Sequence, residues 1–388
     1  MTDTTASSSI SRGSQHYLRK SVAEALPPPM AVSGPVAWVR DNLISSPFNI
    51  MMTVIAALLL YWIIPPLLNF TVFQAVWSGV DREACILTDA RPIVGACWPF
   101  VQERFQYFVY GSYPVDERWR PTLFFVLLAV ATVWVMWLNA PKRSIGVAFA
   151  FVILPVLTYW LLSGGYGLKH VPTNLWGGIL ISLIVASVGI VVSLPVGILL
   201  ALGRRSQMPI VKLFSVIMIE FVRGVPFITV LFMASNMLPL FVPEQYAPDK
   251  LLRALIAVAI FASAYMAEVV RAGLQALPKG QYEGAMAMGL GYWQMMRLII
   301  LPQALKVTIP NIVNTYIGLF KDTTLVVVVG LFDFLKTIEA ARIDPKWAAP
   351  TTSATGYMFA AIFYFICCYA MSRYAKATEE RLSLADKR

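Results

Sequence analysis

Apolar residues run along this chain in long unbroken blocks, and charge is confined to short clusters between them. No Asp, Glu, Lys or Arg lies between Asp41 and Asp81, Arg120 and Lys142, Arg143 and Lys169, Lys169 and Arg204, Arg223 and Glu244, or Lys346 and Arg373. Each interval holds the roughly 20 apolar residues that carry a helix across a bilayer. A buried helix of a soluble domain imitates one such block, but not a series of them. The pattern predicts an all-α, polytopic transmembrane bundle of about eight spans, near 49–70, 121–140, 145–163, 175–202, 212–240, 251–273, 307–335 and 354–372. The first 48 residues are polar and irregular, with Ser7 to Ser9 and Pro27 to Pro29, and lack the apolar core of a cleavable signal. The first span is therefore expected to serve as an uncleaved insertion signal.

Composition agrees with this reading. Of 388 residues, 58% are hydrophobic and 13% charged, about half the charged share of a soluble domain. The net charge of +10 would raise the question of nucleic acid in a soluble protein. Here the basic residues gather in short loops, as the positive-inside rule requires, so membrane lipid and not nucleic acid is the expected partner. Lys142-Arg143, Arg204-Arg205, the stretch from Arg271 to Lys306 and the tail from Arg373 are expected to be cytoplasmic, which puts both termini inside. Segments 71–120 and 241–250 then lie outside. The former contains Cys85 and Cys97; an outer compartment permits a disulfide, and spacing alone leaves both the bond and two free thiols open. Cys367 and Cys368 read as helix filler, and His16 and His170 are isolated, so no metal site is expected. GxxxxGK[ST], HExxH and GxSxG are all absent, and the chain is expected to be neither an ATPase nor a hydrolase by itself.

The chain divides into a tail (1–48), a three-span region (49–170) with the outer loop 71–120, a five-span core (171–373) and a second tail (374–388). No internal repeat is visible, which disfavours the alternative of a stand-alone ion-coupled secondary transporter. The core contains a charged loop at 277–302. Pro278 and Gly280 make a turn, and Glu283 follows in the first turn of a short helix, where a carboxylate suits the dipole. Gly289 and Gly291 end that helix, and a second short helix with Trp293, Met295 and Met296 is expected to stop at Pro302. The loop is too polar for the bilayer and too apolar to stand alone, so it calls for a protein partner.

This loop resembles the EAA loop of binding-protein-dependent ABC permeases. Glu283, Ala285, Gly289, Ile299, Leu301 and Pro302 fall in that register, and the one departure is Gly284 in place of the first Ala. The segments Glu220-Phe-Val-Arg-Gly-Val-Pro226, Tyr265-Met-Ala-Glu-Val-Val-Arg-Ala-Gly273 and Phe320-Lys-Asp-Thr-Thr-Leu325 are similar to the polar amino acid subfamily. The whole chain is similar to the M-type permease of general L-amino acid importers. The resemblance implies a type I importer core of five spans preceded by three extra ones. It implies residence in the bacterial inner membrane and transport of L-amino acids. The implied partners are two ATP-binding subunits, a second related permease (a heterodimer is favoured over a homodimer) and a periplasmic amino-acid-binding protein. No cofactor belongs to this chain; ATP and Mg are used by the partner ATPase, which docks on the loop.

The residues of these segments also have physical readings of their own. Arg223-Gly224 before Pro226 interrupts the fifth span and leaves a charge near its end, either a path residue or a snorkelling Arg. Glu268 and Arg271 lie three apart on one helical face and can pair. Lys321-Asp322 divides the apolar stretch from Val307 to Phe332, where ionisable groups line a pathway or lock a bundle. Thr323 and Thr324 would let the helix break there. Glu268, Arg223, Lys321, Asp322 and Thr323 are the candidate translocation-path or gate residues, and a structural role for each stays open.

Overall fold

The computed structural model describes residues 34–386 apart from 90–91, 138–139, 166 and 247. Residues 1–33, with His16 and most of the N-terminal tail, lie outside the described residues. Two units are present, one ending at Leu68 and the other starting at Asn69. In the first, α1 (Pro35–Leu43) turns into α2 (Pro47–Leu68). The Asn49 amide donates to Ser46 Oγ at 3.2 Å, and Thr53 Oγ1 donates to the Leu43 carbonyl at 2.9 Å. None of the side chains from Pro47 to Leu68 is buried within the chain. A helix apolar all round has no soluble face, so hydrocarbon is the medium that suits it.

The second unit contains α3 (Trp98–Tyr110), α4 (Val115–Met136), α5 (Arg143–Ser163), α6 (Ile179–Arg204), α7 (Pro209–Gly224), α8 (Phe227–Phe241) and α9 (Lys250–Ala276). These are followed by α10 (Lys279–Ala287), α11 (Tyr292–Val329), α12 (Phe334–Ala341) and α13 (Thr352–Asp386). Seven described helices are long and apolar enough to cross a membrane, and the bent pair α7–α8 makes an eighth. Helices α6 and α9 form the centre. Gly197 of α6 lets them meet, since an added Cβ there would lie 2.8 Å from Met266 Cβ; small residues at such contacts are how membrane helices pack closely. One buried cluster gathers Leu180, Ile181, Val185, Val258 and Leu319, and another gathers Ala201, Met266, Val270 and Ile300. The bundle end carrying α10 is hereafter the loop end, and the opposite end is the cap end.

The structure differs from the sequence expectation for the fifth span. Residues 212–240 are not one helix: α7 and α8 meet at 107°. Pro226 has no N–H to give and disfavours helix at the residue before it. Val225 is accordingly extended, at φ −108° and ψ 137°. One face of α7 is exposed along Ile210, Leu213, Phe214, Ile217 and Phe221, while Ser215, Ile219 and Val222 face inward.

The cap end is a folded layer that the apolar pattern did not reveal. Cys85 and Cys97 are joined, with Cα atoms 5.7 Å apart, and lie in a buried cluster with Phe100, Phe108, Phe334, Ile338 and Trp347. Thus residues 76–108 share a core with the connection between α11 and α13. Arg104 pairs with Asp344, and Lys346 Nζ reaches Glu103 at 2.7 Å. That hydrogen bond from Lys346 holds the Glu103 carboxyl below the usual carboxylate range. Strand β1 (Gly177–Gly178) pairs in parallel with β2 (Phe332–Asp333). Gly178 is at φ +67°, and any Cβ there would lie 2.2 Å from the Phe108 carbonyl oxygen; only glycine fits.

Asp333 is fully buried and caps α12, accepting from the Leu335 and Lys336 amides at 3.0 and 3.2 Å. Burial pushes its carboxyl up to about 6, against the pull of those two donors. Because the folded value lies above the unfolded one, ionisation is penalised in the folded state alone. Cap stability should therefore fall as pH rises from about 4 to about 6, by on the order of 3 kcal/mol from this group. Asp333→Asn preserves a capping oxygen and should flatten that stretch of a melting-temperature profile. Equal slopes for the variant and the parent would remove Asp333 as their source.

Candidate functional site: the loop-end surface and its charge cluster

Helix α10 starts after Pro278, whose fixed φ suits the residue preceding a helix, and ends in a left-handed glycine. Gly289 is at φ +71°; its amide donates to the Met286 carbonyl at 2.9 Å and that of Leu290 to the Ala285 carbonyl at 3.3 Å. This pair of bonds is the Schellman arrangement, which satisfies carbonyls a helix end leaves open. Ala285 is buried with Leu274, Met295, Met296 and Ile300, and Leu290 packs against the same cluster. Glu283 is exposed and has no ion-pair partner among the described residues. Beside it Met286, Met288 and Trp293 are exposed, Met288 by 80% and Trp293 by 67%. The loop therefore presents a carboxylate, two methionines and an indole to its surroundings. A Cβ added at Gly284 would meet nothing within 4 Å, so the missing alanine reflects no steric demand of this chain.

The loop is held by contacts that the sequence did not disclose. Tyr282 Oη donates to the Leu274 carbonyl at 2.9 Å, and Arg205 donates to Tyr282 Oη at 3.0 Å and to the Leu274 carbonyl at 3.2 Å. The Arg205 guanidinium also lies over the Tyr282 ring, 5.4 Å from its centroid. Gln303 donates to Gln281 at 3.1 Å. Together these tie α10 to the ends of α6, α9 and α11. Pro302 does not stop a separate short helix. A wide π turn at Met296–Ile300 absorbs the missing donor, and α11 continues from Tyr292 to Val329. Ile299 and Leu301 sit half-buried against the loop-end cluster, while Pro302 is exposed.

Deeper at the same end, three arginines meet two glutamates. Arg204 Nη1 lies 2.7 Å from Glu220 and 3.6 Å from Glu268; Arg223 Nη1 lies 3.8 Å from Glu268. Arg271 Nε donates to Glu268 Oε1 at 2.8 Å, the local pairing read from their spacing. The Arg223 guanidinium also stacks 5.7 Å from the Tyr265 ring centroid. The structure thus brings Arg223 and Glu268 together, adds Arg204 and Glu220, and links α6, α7 and α9 through one carboxylate. The Arg204-Arg205 pair and the Glu220 motif were visible in the sequence, but their convergence comes from the packing of α6, α7 and α9.

Lys321, Asp322 and Thr323 lie elsewhere. They fall in the last third of α11, toward the cap end, because that helix begins at Tyr292. Neither Lys321 nor Asp322 has an ion-pair partner among the described residues. The α-helical hydrogen bonding stops at Asp322 and becomes a 3₁₀ helix over Thr323–Val329. Thr323 Oγ1 donates to the Phe320 carbonyl at 2.8 Å and Thr324 Oγ1 to the Lys321 carbonyl at 3.0 Å, so the hydroxyls satisfy the carbonyls released at the change.

A family model described as "Binding-protein-dependent transport system inner membrane component" matches residues 193–383. The chain is 52% identical over 349 residues to the inner membrane amino-acid ABC transporter permease protein YhdY of Escherichia coli K12, covering 90% of this chain and 93% of that one. It is 38% identical over 432 residues to the glutamate/glutamine/aspartate/asparagine transport system permease protein BztC of Rhodobacter capsulatus, covering 94% and 98%. Among solved structures, an amino acid ABC transporter with histidines matches at 28% identity and a TM-score of 0.46, covering 53% of this chain and 92% of that one.

The charge cluster makes a testable demand. Glu268 is the shared carboxylate, and its side chain is about one-fifth exposed, whereas that of Glu220 is about half exposed. Glu268→Gln leaves three guanidinium groups without their common anion and should lower stability by about 1–2 kcal/mol, below the figure for a fully buried pair. Glu220→Gln should lower it by less than about 1 kcal/mol. Detergent melts at low and high salt would measure both, and equal losses would dissolve the idea of a network centred on Glu268.

Proposed function

The chain belongs to the binding-protein-dependent transport system inner membrane components, and from that premise we propose how this permease subunit of an amino acid ABC importer couples and assembles. Permeases of this family work with separate ATPase subunits, so this chain is not itself an enzyme, and with a substrate-binding protein. The finer reading is that α10 and the start of α11 form the docking surface for an ATP-binding subunit, with Glu283, Ala285, Gly289, Ile299, Leu301 and Pro302 as its frame. The observation that carries it is an exposed, Schellman-capped short helix whose outer face offers Glu283, Met286 and Met288. ATP and Mg bind in the partner. Residues 171–373 act as the permease core, and 49–170 as an added three-span region.

Orientation follows from chemistry at the two ends. The basic turns at Lys142-Arg143 and Arg204-Arg205 belong to the loop end, which suits the cytoplasm. The Cys85–Cys97 link belongs to the cap end, which suits an oxidising periplasm. Both termini then face the cytoplasm, and the cap faces the binding protein. Arg223 and Glu268 stand near the inner boundary of the path, and Lys321, Asp322 and Thr323 nearer its outer side. The substrates are L-amino acids. The acidic and amide amino acids in the name of the Rhodobacter relative form the first panel to assay. A stand-alone secondary transporter has no use for a docking helix of this kind, and no observation favours it.

Glu283→Arg should leave insertion and thermal stability unchanged while abolishing uptake, because it reverses charge on an exposed docking helix. Normal uptake by vesicles carrying this variant would overturn the coupling assignment.

Assembly gives a second test. Two ATPases closing on two nucleotides require two permease halves about a twofold or pseudo-twofold axis. The M-type resemblance favours a related permease, not a second copy, as the other half. Proteoliposomes holding this chain, the ATPase and the binding protein should show uptake only once that second permease is added. Full uptake without it would establish a homodimer.

A further inference from the structure

Helices α4 and α5 lean against the core at the cap end and stand away from it toward the loop end. At the cap end Phe124, Leu161 and Leu162 are buried with Leu180, Ile181 and Ile184. Tyr113 Oη donates to the Leu162 carbonyl at 2.9 Å, and Arg120 Nη1 to the Lys169 carbonyl at 2.7 Å. Further along, the two halves part around a cavity of about 670 Å³. Leu128 and Phe151 line it from α4 and α5, Val188 from α6, Ile312 from α11 and Met371 from α13. Its volume falls among pockets that hold small-molecule ligands, roughly 300–1,000 Å³.

The two ends of this wedge carry opposite charge. At the cap end lies Asp249, whose carboxylate accepts from Thr173 Oγ1 at 2.8 Å and from the Leu251 amide at 3.1 Å. At the other end lies Arg143. Its Nε donates to the Val135 carbonyl at 2.8 Å, and its two Nη atoms have no partner among the described residues. Lys142 next to it is exposed. The site is therefore a long apolar slot between spanning helices, with a fixed guanidinium at one mouth and a carboxylate at the other.

We infer that this wedge holds one phospholipid of the loop-end leaflet, one acyl chain between α4–α5 and the core, its phosphate at Arg143 and Lys142. Water is a poor occupant, because a cavity this apolar offers it few hydrogen-bond partners. An amino acid is a poor occupant as well, because its ammonium and carboxylate would lie against aliphatic walls unpaired. A lipid satisfies both features at once. Its chain replaces the packing that the parted helices lack, and a guanidinium recognises phosphate with two parallel donors. The negative mouth at Asp249 sets the direction, since it repels a headgroup there. The lipid would join the α4–α5 hairpin to the five-span core where protein contacts do not.

The test uses the assembled transporter purified in detergent. Native mass spectrometry should find one phospholipid mass retained on this chain after extensive washing. Arg143→Gln and Val188→Trp, which respectively remove the phosphate ligand and fill the slot, should each reduce that retention at least tenfold. Delipidated transporter should also melt at higher temperature when phosphatidylglycerol is added back, saturably, and the Val188→Trp variant should not respond. This second reading needs only the folded parent, so a variant that assembles poorly does not remove the test. The assignment fails if the parent carries no phospholipid and does not respond to phosphatidylglycerol. It also fails if both variants retain lipid as the parent does, or if the retained mass is an amino acid.

Discussion

A chain that crosses hydrocarbon must satisfy every backbone hydrogen bond from within, because no water is present to do so. That constraint makes the spans helical, and it also determines where they may be interrupted. Three interruptions in this protein each have a local accommodation for the missing bonds. After Gly224 the break is made by Pro226, which has no N–H to satisfy. At Asp322 the hydroxyls of Thr323 and Thr324 take the carbonyls that the change to a 3₁₀ helix releases. Between Met296 and Ile300 a π turn accommodates Pro302 without ending the helix. These three breaks fall beside Arg223, Lys321-Asp322 and Arg297, so irregular backbone and charge occupy the same places.

Those places are what the sequence made legible. The apolar blocks located the spans because a span has a fixed length and excludes charge. The loop at 277–302 was legible because its glycines and prolines act locally, through φ at Gly289 and the missing donor at Pro278. The direction α7 takes after the fifth block was not, since a proline reports a break and not an angle. Nor was the convergence of Arg204 and Glu220 on the Arg223–Glu268 pair, which depends on how α6, α7 and α9 pack. Lys321-Asp322 seemed central to its apolar stretch only because the preceding short helix had been separated from it at Pro302.

The cap end was hidden for a different reason. Its core is assembled from residues far apart in the chain: Cys97 with Thr355 (the Cys97 amide donates to Thr355 Oγ1 at 2.8 Å), Arg120 with Lys169, and Glu103 with Lys346. Segments 76–108 and 330–351 are each too short and too mixed in polarity to register as spans. Only their pairing buries Phe100, Phe334 and Trp347 together. The segment that precedes the five-span core is therefore structurally part of it at this end, although no motif in the sequence connects the two.

The loop end joins a locally capped turn to a few long-range anchors, and this gives it mechanical consequences. Tyr282 fastens α10 to the last turn of α9 through the Leu274 carbonyl, and Arg205 fastens the same tyrosine to the end of α6. Nearly two turns deeper, Glu268 links α6 and α9 again and adds α7 through Arg223. A force applied to the exposed face of α10 is thus delivered to three helices at two levels. The extended residue at Val225 and the π turn in α11 are the compliant points next to that rigid patch. The salt bridges are partly exposed and individually weak, so they can exchange partners without a large barrier. Glu268 has three arginines within 4 Å and two oxygens to share among them. A small rotation of α7 would exchange one guanidinium for another and leave the charge balance of the cluster unchanged. Discrete alternatives of similar energy are what a packed helical bundle needs in order to switch and not merely deform. In this protein the shared carboxylate of Glu268 is the place where such alternatives would arise.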